Sequence, residues 1–107
     1  MSPLVYPVCS MKHIHNRNVY DTETAEQIAQ TLLHHFCRET LYKTDEGEYF
    51  IYREEWSREQ YVIMYDEMEP AVTSLIPFSE VQALDWCEQN EVSADLILNE
   101  FRHLIET

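Results

Sequence analysis

The residues able to do metal or nucleophile chemistry fall in two clusters. Cys9, His13 and His15 are spaced C-x3-H-x-H, and His34, His35 and Cys37 lie close together further on. Zinc takes these ligand types, but structural zinc sites show tighter paired spacings than either cluster offers. His34 and His35 are adjacent, so on a helix they diverge by about 100°. A Cys37 or Cys87 thiol beside a histidine would make a hydrolase pair. With three cysteines and five histidines, such neighbours arise from composition alone. One glycine in the whole chain excludes phosphate-cradling loops and dinucleotide fingerprints. Carboxylates are too abundant for any pair of them to mark acid–base catalysis. The expectation is a non-enzymatic protein with no metal and no cofactor.

Charge is the larger signal. Twenty acids against seven bases give a net charge of −13 over 107 residues. Residues 1–20 hold Lys12 and Arg17 and no acid, whereas residues 45–69 hold nine acids and two bases. Such a chain is repelled by a phosphate backbone, so direct nucleic-acid binding is not expected. A basic protein surface would attract and steer it. The acids have a plain use as a solvated, solubilising surface. Their sharper use is to imitate nucleic-acid phosphates in the basic channel of a partner. The contact set for that role is Glu46, Glu48, Glu54, Glu55, Glu59, Asp66, Glu67 and Glu69, with Tyr52, Trp56 and Tyr65 as aromatic anchors. Aromatic anchors are common in binding hot spots. The alternative is a non-catalytic interaction or regulatory module that works through its aromatic surface, a homodimer being one form of it.

The elements that must position these groups are built on one hairpin. Residues Arg38–Glu54 place two runs rich in Thr, Tyr, Phe, Leu and Ile around Asp45-Glu46-Gly47. Such residues favour strands, and a three-residue loop wants glycine at its last, left-handed position. That register sets Lys43 opposite Tyr49, Tyr42 opposite Phe50, Leu41 opposite Ile51, Thr40 opposite Tyr52 and Glu39 opposite Arg53. One face then carries Tyr42, Phe50 and Tyr52, and the other Leu41, Tyr49 and Ile51.

Upstream, Asp21 or Thr22 can cap a helix. Ala25, Ile28, Ala29, Leu32, Leu33 and Phe36 follow at helical spacing and predict a helix ending near Cys37. Residues 1–17 read as an irregular arm, broken by Pro3 and Pro7, with Val5, Tyr6 and Val8 able to pair at an edge. Gln60–Asp66 fits either a strand or part of a short helix starting near Ser57. Val72 to Ile76 reads as a strand stopped by Pro77. Ser79 with Gln82 is a capping box opening a second helix, and Ser93 caps a third. The expected fold is α+β: one domain over residues 18–107, with an antiparallel sheet of three or four strands on the central hairpin, one preceding helix and two short C-terminal helices.

A single domain suits this length, and one glycine with four prolines leaves no room for a long linker. No apolar run approaches a membrane span, and MSPLVYPVCSMKHIH lacks the pattern of a secretory signal. Three widely spaced cysteines, an odd number, argue for a reducing cytosol over a disulfide framework.

Three segments carry a family resemblance: NVYDTETA (Asn18–Ala25), ETLYKTDEGEYFIY (Glu39–Tyr52), and IPFSEVQALDW (Ile76–Trp86) followed by SADLILNEF (Ser93–Phe101). Together they are similar to a family of small proteins carried by bacterial phages and mobile elements, whose related domains occur in or beside anti-CRISPR proteins. The resemblance covers roughly residues 18–54 and 75–101. It implies an inhibitor in the cytoplasm of a bacterial host, bound to a CRISPR effector with a basic channel. Where the family has a glycine-rich loop, this chain has REEWSREQYVIMYDEMEPAVTS, with no glycine and many acids.

Overall fold

The computed structural model describes residues 11–34, 36–57 and 70–105. Along the chain lie β1 (Lys12–His15), β2 (Asn18–Asp21), β3 (Glu26–His34), β4 (Cys37–Lys43), β5 (Tyr49–Glu55), β6 (Val72–Phe78), α1 (Glu80–Gln89) and α2 (Ala94–Phe101). A 3-10 turn follows at Arg102–Leu104. β1 and β2 form a two-stranded sheet, and the remaining strands form a four-stranded sheet in the order β3-β4-β5-β6. Every neighbouring pair is antiparallel. The α+β class, the sheet built on the central hairpin and the two C-terminal helices are as the sequence predicts.

Gly47 sets the register of that hairpin. Its φ of 88° is the left-handed conformation that a side chain makes costly. The Thr44 N–H donates to the Glu48 carbonyl at 2.8 Å, and the Gly47 N–H donates to the Thr44 carbonyl at 2.9 Å. The Thr44 hydroxyl accepts from the Glu48 N–H at 3.0 Å, which closes the loop. Pairing then runs from Lys43↔Tyr49 to Cys37↔Glu55, with each expected partner opposite its mate.

The helix expected before the hairpin is a strand. The capping signal is real: the Asp21 carboxylate accepts from the Glu23 N–H at 2.9 Å, and the Ala25 N–H reaches the Asp21 carbonyl at 3.0 Å. That turn is not propagated, and residues 26–34 pair with β4 instead. The apolar spacing misleads because β3 is irregular. Register shifts between Gln27 and Ala29 and between Leu32 and His34 break its alternation of faces. Ile28 and Ala29 pack against the core, while Leu32 and Leu33 stay 53% and 40% exposed. A helix there would have buried the whole stripe. Pairing with the outer side of β4 satisfies a row of backbone groups, and that context overrides intrinsic propensity.

Residues 11–17 of the arm are more ordered than expected. Residues 12–15 pair with β2 through a two-residue turn in which Asn16 and Arg17 take φ of 51° and 69°. Two consecutive left-handed residues are the signature of a type I′ hairpin turn. The Met11 N–H donates to the Thr22 hydroxyl at 2.8 Å and ties the base shut. Val5, Tyr6 and Val8, and the stretch Gln60–Asp66, lie outside the described residues. Pro77 does not stop β6, which runs on to Phe78. β6 is an outer strand, where a missing N–H is tolerated.

Both helix caps are as expected. The Ser79 hydroxyl accepts from the Gln82 N–H at 3.1 Å, and the Gln82 side chain accepts from the Ser79 N–H at 2.8 Å. Ser93 caps α2 by accepting from Leu96. Glu91, at φ 56°, takes the left-handed position that ends α1. The helices cover one sheet face. Leu41, Tyr49 and Ile51 meet Ala83, Trp86, Cys87 and Phe101 in one buried cluster. A side chain of Phe101's size contributes about 3 kcal/mol when fully buried. On the other face Phe50 is buried, with Tyr42 stacked on it at 5.1 Å and Tyr20 of β2 edge-on at 5.6 Å.

Candidate acidic interface

The ladder registers bring several acids to one end of the large sheet. Glu26 pairs with Lys43, Lys43 with Tyr49, and Tyr49 with Phe78. The segments leaving that row carry Glu23, Asp45, Glu46, Glu48 and Glu80. With Glu26 these make six exposed carboxylates contributed by three separate stretches of chain. Beside them, a cleft of about 190 Å³ is lined by Arg17, Val19, Thr24, Thr44, Asp45 and Glu46.

Lys43 and His103 at this end face carboxylates, while Arg17 stays exposed in the cleft. Lys43 Nζ lies 2.8 Å from Glu100 Oε2, and His103 Nε2 lies 2.7 Å from Glu80 Oε2. The Tyr49 hydroxyl donates to the same Glu100 oxygen at 2.6 Å. Burial opposes the charge on Glu100, but hydrogen bonds from Lys43 and Tyr49 outweigh it and hold the carboxyl below its ordinary value. Burial, then the Glu100 hydrogen bond and charge, push the Tyr49 hydroxyl well above the tyrosine range.

The same inward use of cations recurs elsewhere. Arg38 makes a two-pronged pair with Glu54 at 2.9 and 3.1 Å, its guanidinium 5.0 Å from the Trp56 ring centroid. Arg53 lies 3.4 Å from Glu39, whose other oxygen accepts from Trp86 Nε1 at 2.8 Å. Lys12 lies 3.7 Å from Asp21. The carboxylates in these pairs, and Glu100, are only 5–13% exposed. Four bases are therefore committed to acids of the interior. Among the described residues, Glu23, Glu26, Asp45, Glu46 and Glu48 have no ion-pair partner, nor do Asp85, Glu88, Glu91 and Asp95 on the helical side.

The expected contact set divides. Glu46 and Glu48 stand exposed at the acidic end. Tyr52, Glu54 and Trp56 are 4%, 4% and 6% exposed, so they build the interior and present no surface. Glu55 is half-buried at the opposite end of β5, about 20 Å from Glu48 for a strand of this length. Glu59, Tyr65, Asp66, Glu67 and Glu69 lie outside the described residues. Glu23, Glu26 and Glu80 were missed. Finding Glu26 requires reading residues 26–34 as a strand, because only the ladder sets it beside Lys43. Glu80 follows from the Ser79 cap, which places it where the chain leaves β6.

Of the cysteine and histidine clusters, Cys9 and His35 lie outside the described residues, His13 and His15 are exposed on β1, and His34 and Cys37 take structural parts. His34 Nδ1 accepts from the Phe36 N–H at 3.1 Å in the β3–β4 turn. Arg53 Nε donates to the buried Cys37 sulfur at 3.3 Å. Burial, and then the charge of Glu100, push the Cys87 thiol up to about 11. No group of three metal-ligating side chains comes together among the described residues. No helix among them is long and apolar enough to cross a membrane. Compared with known proteins, the chain matches no family model, no curated protein and no solved structure.

Proposed function

We propose that this chain is a non-enzymatic binding protein whose acidic end docks on the basic, nucleic-acid-binding surface of another protein. The observation that carries this is the division of charge: bases are spent on interior acids, and six exposed carboxylates gather at one sheet end. Fixed carboxylates on strand ends and a tight turn keep their spacing, as phosphates along a strand do. Lys and Arg side chains that track a backbone would meet them as they meet nucleic acid.

The resemblance of the three segments to phage and mobile-element proteins names the partner class. It is a CRISPR effector in the bacterial cytoplasm, whose basic channel holds target DNA through its backbone. Occupying that channel blocks interference without any chemistry by the inhibitor. The module that works through aromatic residues loses ground, because Tyr52, Trp56 and Phe50 are interior.

The test has two stages. Co-expression with a panel of CRISPR systems, scored by plasmid clearance, identifies the effector that is blocked. Binding to that effector is then measured against salt and against competing DNA. Electrostatic steering raises association from about 10^5–10^6 to about 10^8–10^9 M⁻¹s⁻¹ at low salt. The set Glu23→Gln, Glu26→Gln, Asp45→Asn, Glu46→Gln, Glu48→Gln and Glu80→Gln is expected to slow association at least about tenfold and flatten its salt dependence. A parallel amide set at Glu59, Asp66, Glu67 and Glu69 apportions the remaining charge. If a system is blocked and neither set changes affinity, the charge-based mechanism is wrong. If no system is blocked, the partner class is wrong.

A further inference from the structure

We propose that β3 is the joint of a symmetric homodimer, in which the β3 strands of two copies pair antiparallel into one continuous eight-stranded sheet. β3 is an outer strand of nine residues, and among the described residues nothing pairs with its far side. An uncovered edge of that length is a template for another strand, and proteins commonly blunt such edges with proline, lysine or bulges. β6, the opposite outer strand, carries Pro77. β3 carries no proline and no lysine. Its two register shifts lie toward its ends, leaving Ala29–Leu32 in regular pairing with Leu41–Arg38.

The uncharged middle of β3 admits a second copy of itself, and charge fixes the orientation. With a formal charge of −13, two copies repel wherever their acids face each other. The run Gln27–Leu33 has no charged residue, so pairing it with itself sets no like charges opposite. Antiparallel pairing also places the Glu26 end of one β3 beside the His34 end of the other. The two acidic ends then point to opposite poles of the dimer. A parallel arrangement would set them side by side. Leu32 and Leu33, 53% and 40% exposed, gain cover from the neighbouring strand. The product is a bivalent particle with one acidic end at each pole.

Sedimentation equilibrium of the full chain at low and high salt tests this. The expected result is a dimer that tightens as salt screens the repulsion between copies. That response is opposite in sign to the salt-weakened docking on a basic partner, so the two ideas fail separately. Leu32→Lys with Leu33→Lys is expected to weaken dimerisation at least tenfold. Leu33→Lys alone is expected to weaken it measurably, with an unchanged far-ultraviolet circular dichroism spectrum showing that the fold survives. Val72→Lys with Ile76→Lys, on the β6 edge, leaves the dimer intact, as does the amide set at the acidic end. A wild-type chain that is monomeric at every salt concentration overturns the proposal. So does a dimer that survives the β3 lysines, or one lost on changing β6.

Discussion

Truncating Glu100 should unlock α2 from the sheet, and the cost can be worked from its contacts. Glu100 accepts from the Tyr49 hydroxyl at 2.6 Å and lies 2.8 Å from Lys43. Tyr49 is 2% exposed, so in Glu100→Ala its hydroxyl has lost its acceptor out of reach of bulk water. A buried donor left unsatisfied costs about 1–3 kcal/mol. The Lys43 side chain is 35% exposed, so that pair adds no more than about 1 kcal/mol. The expected loss is about 1–4 kcal/mol, and at about 4 °C per kcal/mol the melting temperature falls by roughly 4–16 °C. Tyr49→Phe removes the hydroxyl together with its need for a partner. Glu100→Ala should therefore cost less in that background, with a coupling of about 1–2 kcal/mol. Urea unfolding of the four proteins measures it. Additivity within about 0.5 kcal/mol would refute the reasoning, since the two groups would then be energetically independent. The pH dependence gives a second reading. The folded-state pKa of Glu100 is depressed, so its contribution is full above the unfolded glutamate value and is lost as pH falls through the folded value. The gap between wild type and Glu100→Ala should narrow in that acid window.

Two further outcomes follow from the interior. Glu54→Ala breaks the pair with Arg38, whose side chains are 5% and 26% exposed, and should cost about 3 kcal/mol in urea unfolding. A neutral result would mean that Glu54 is not a structural acid. Cys37 and Cys87 are buried and should resist a thiol reagent at mildly alkaline pH until the chain is unfolded. Labelled peptides located by mass spectrometry check this, and fast native labelling of either would contradict their placement.

The hairpin and both C-terminal caps were legible because their signals are local. One glycine at the end of a short loop fixes seven cross-strand neighbours, and Ser79 with Gln82 is complete within four residues. β3 was not legible. Its start carries a true cap at Asp21, and its apolar residues match a helical period. The deciding fact, the open side of β4, lies in pairing across a turn and not in the stretch's own pattern. The acidic site suffered for the same reason. Glu46 and Glu48 sit in the legible hairpin, whereas Glu26 joins them only through the misread strand. Glu54 looked like one more acid in a charged run. Its burial depends on Arg38, sixteen residues earlier and opposite it across the ladder.

Among the described residues, the helices that cover one sheet face follow the strands in the chain, and that has a consequence for biosynthesis. β3, β4 and β5 are neighbours in sequence as well as in space, so they can pair while translation continues. Leu41, Tyr49 and Ile51 are then aligned on a face whose lid, from Ala83 to Phe101, has not been made. At about 5–20 residues per second, the stretch from Phe78 to Ile105 takes roughly 1–6 s to synthesise. During that interval the nascent protein displays an apolar sheet face that the finished molecule conceals, the interval in which a chaperone would have most to do.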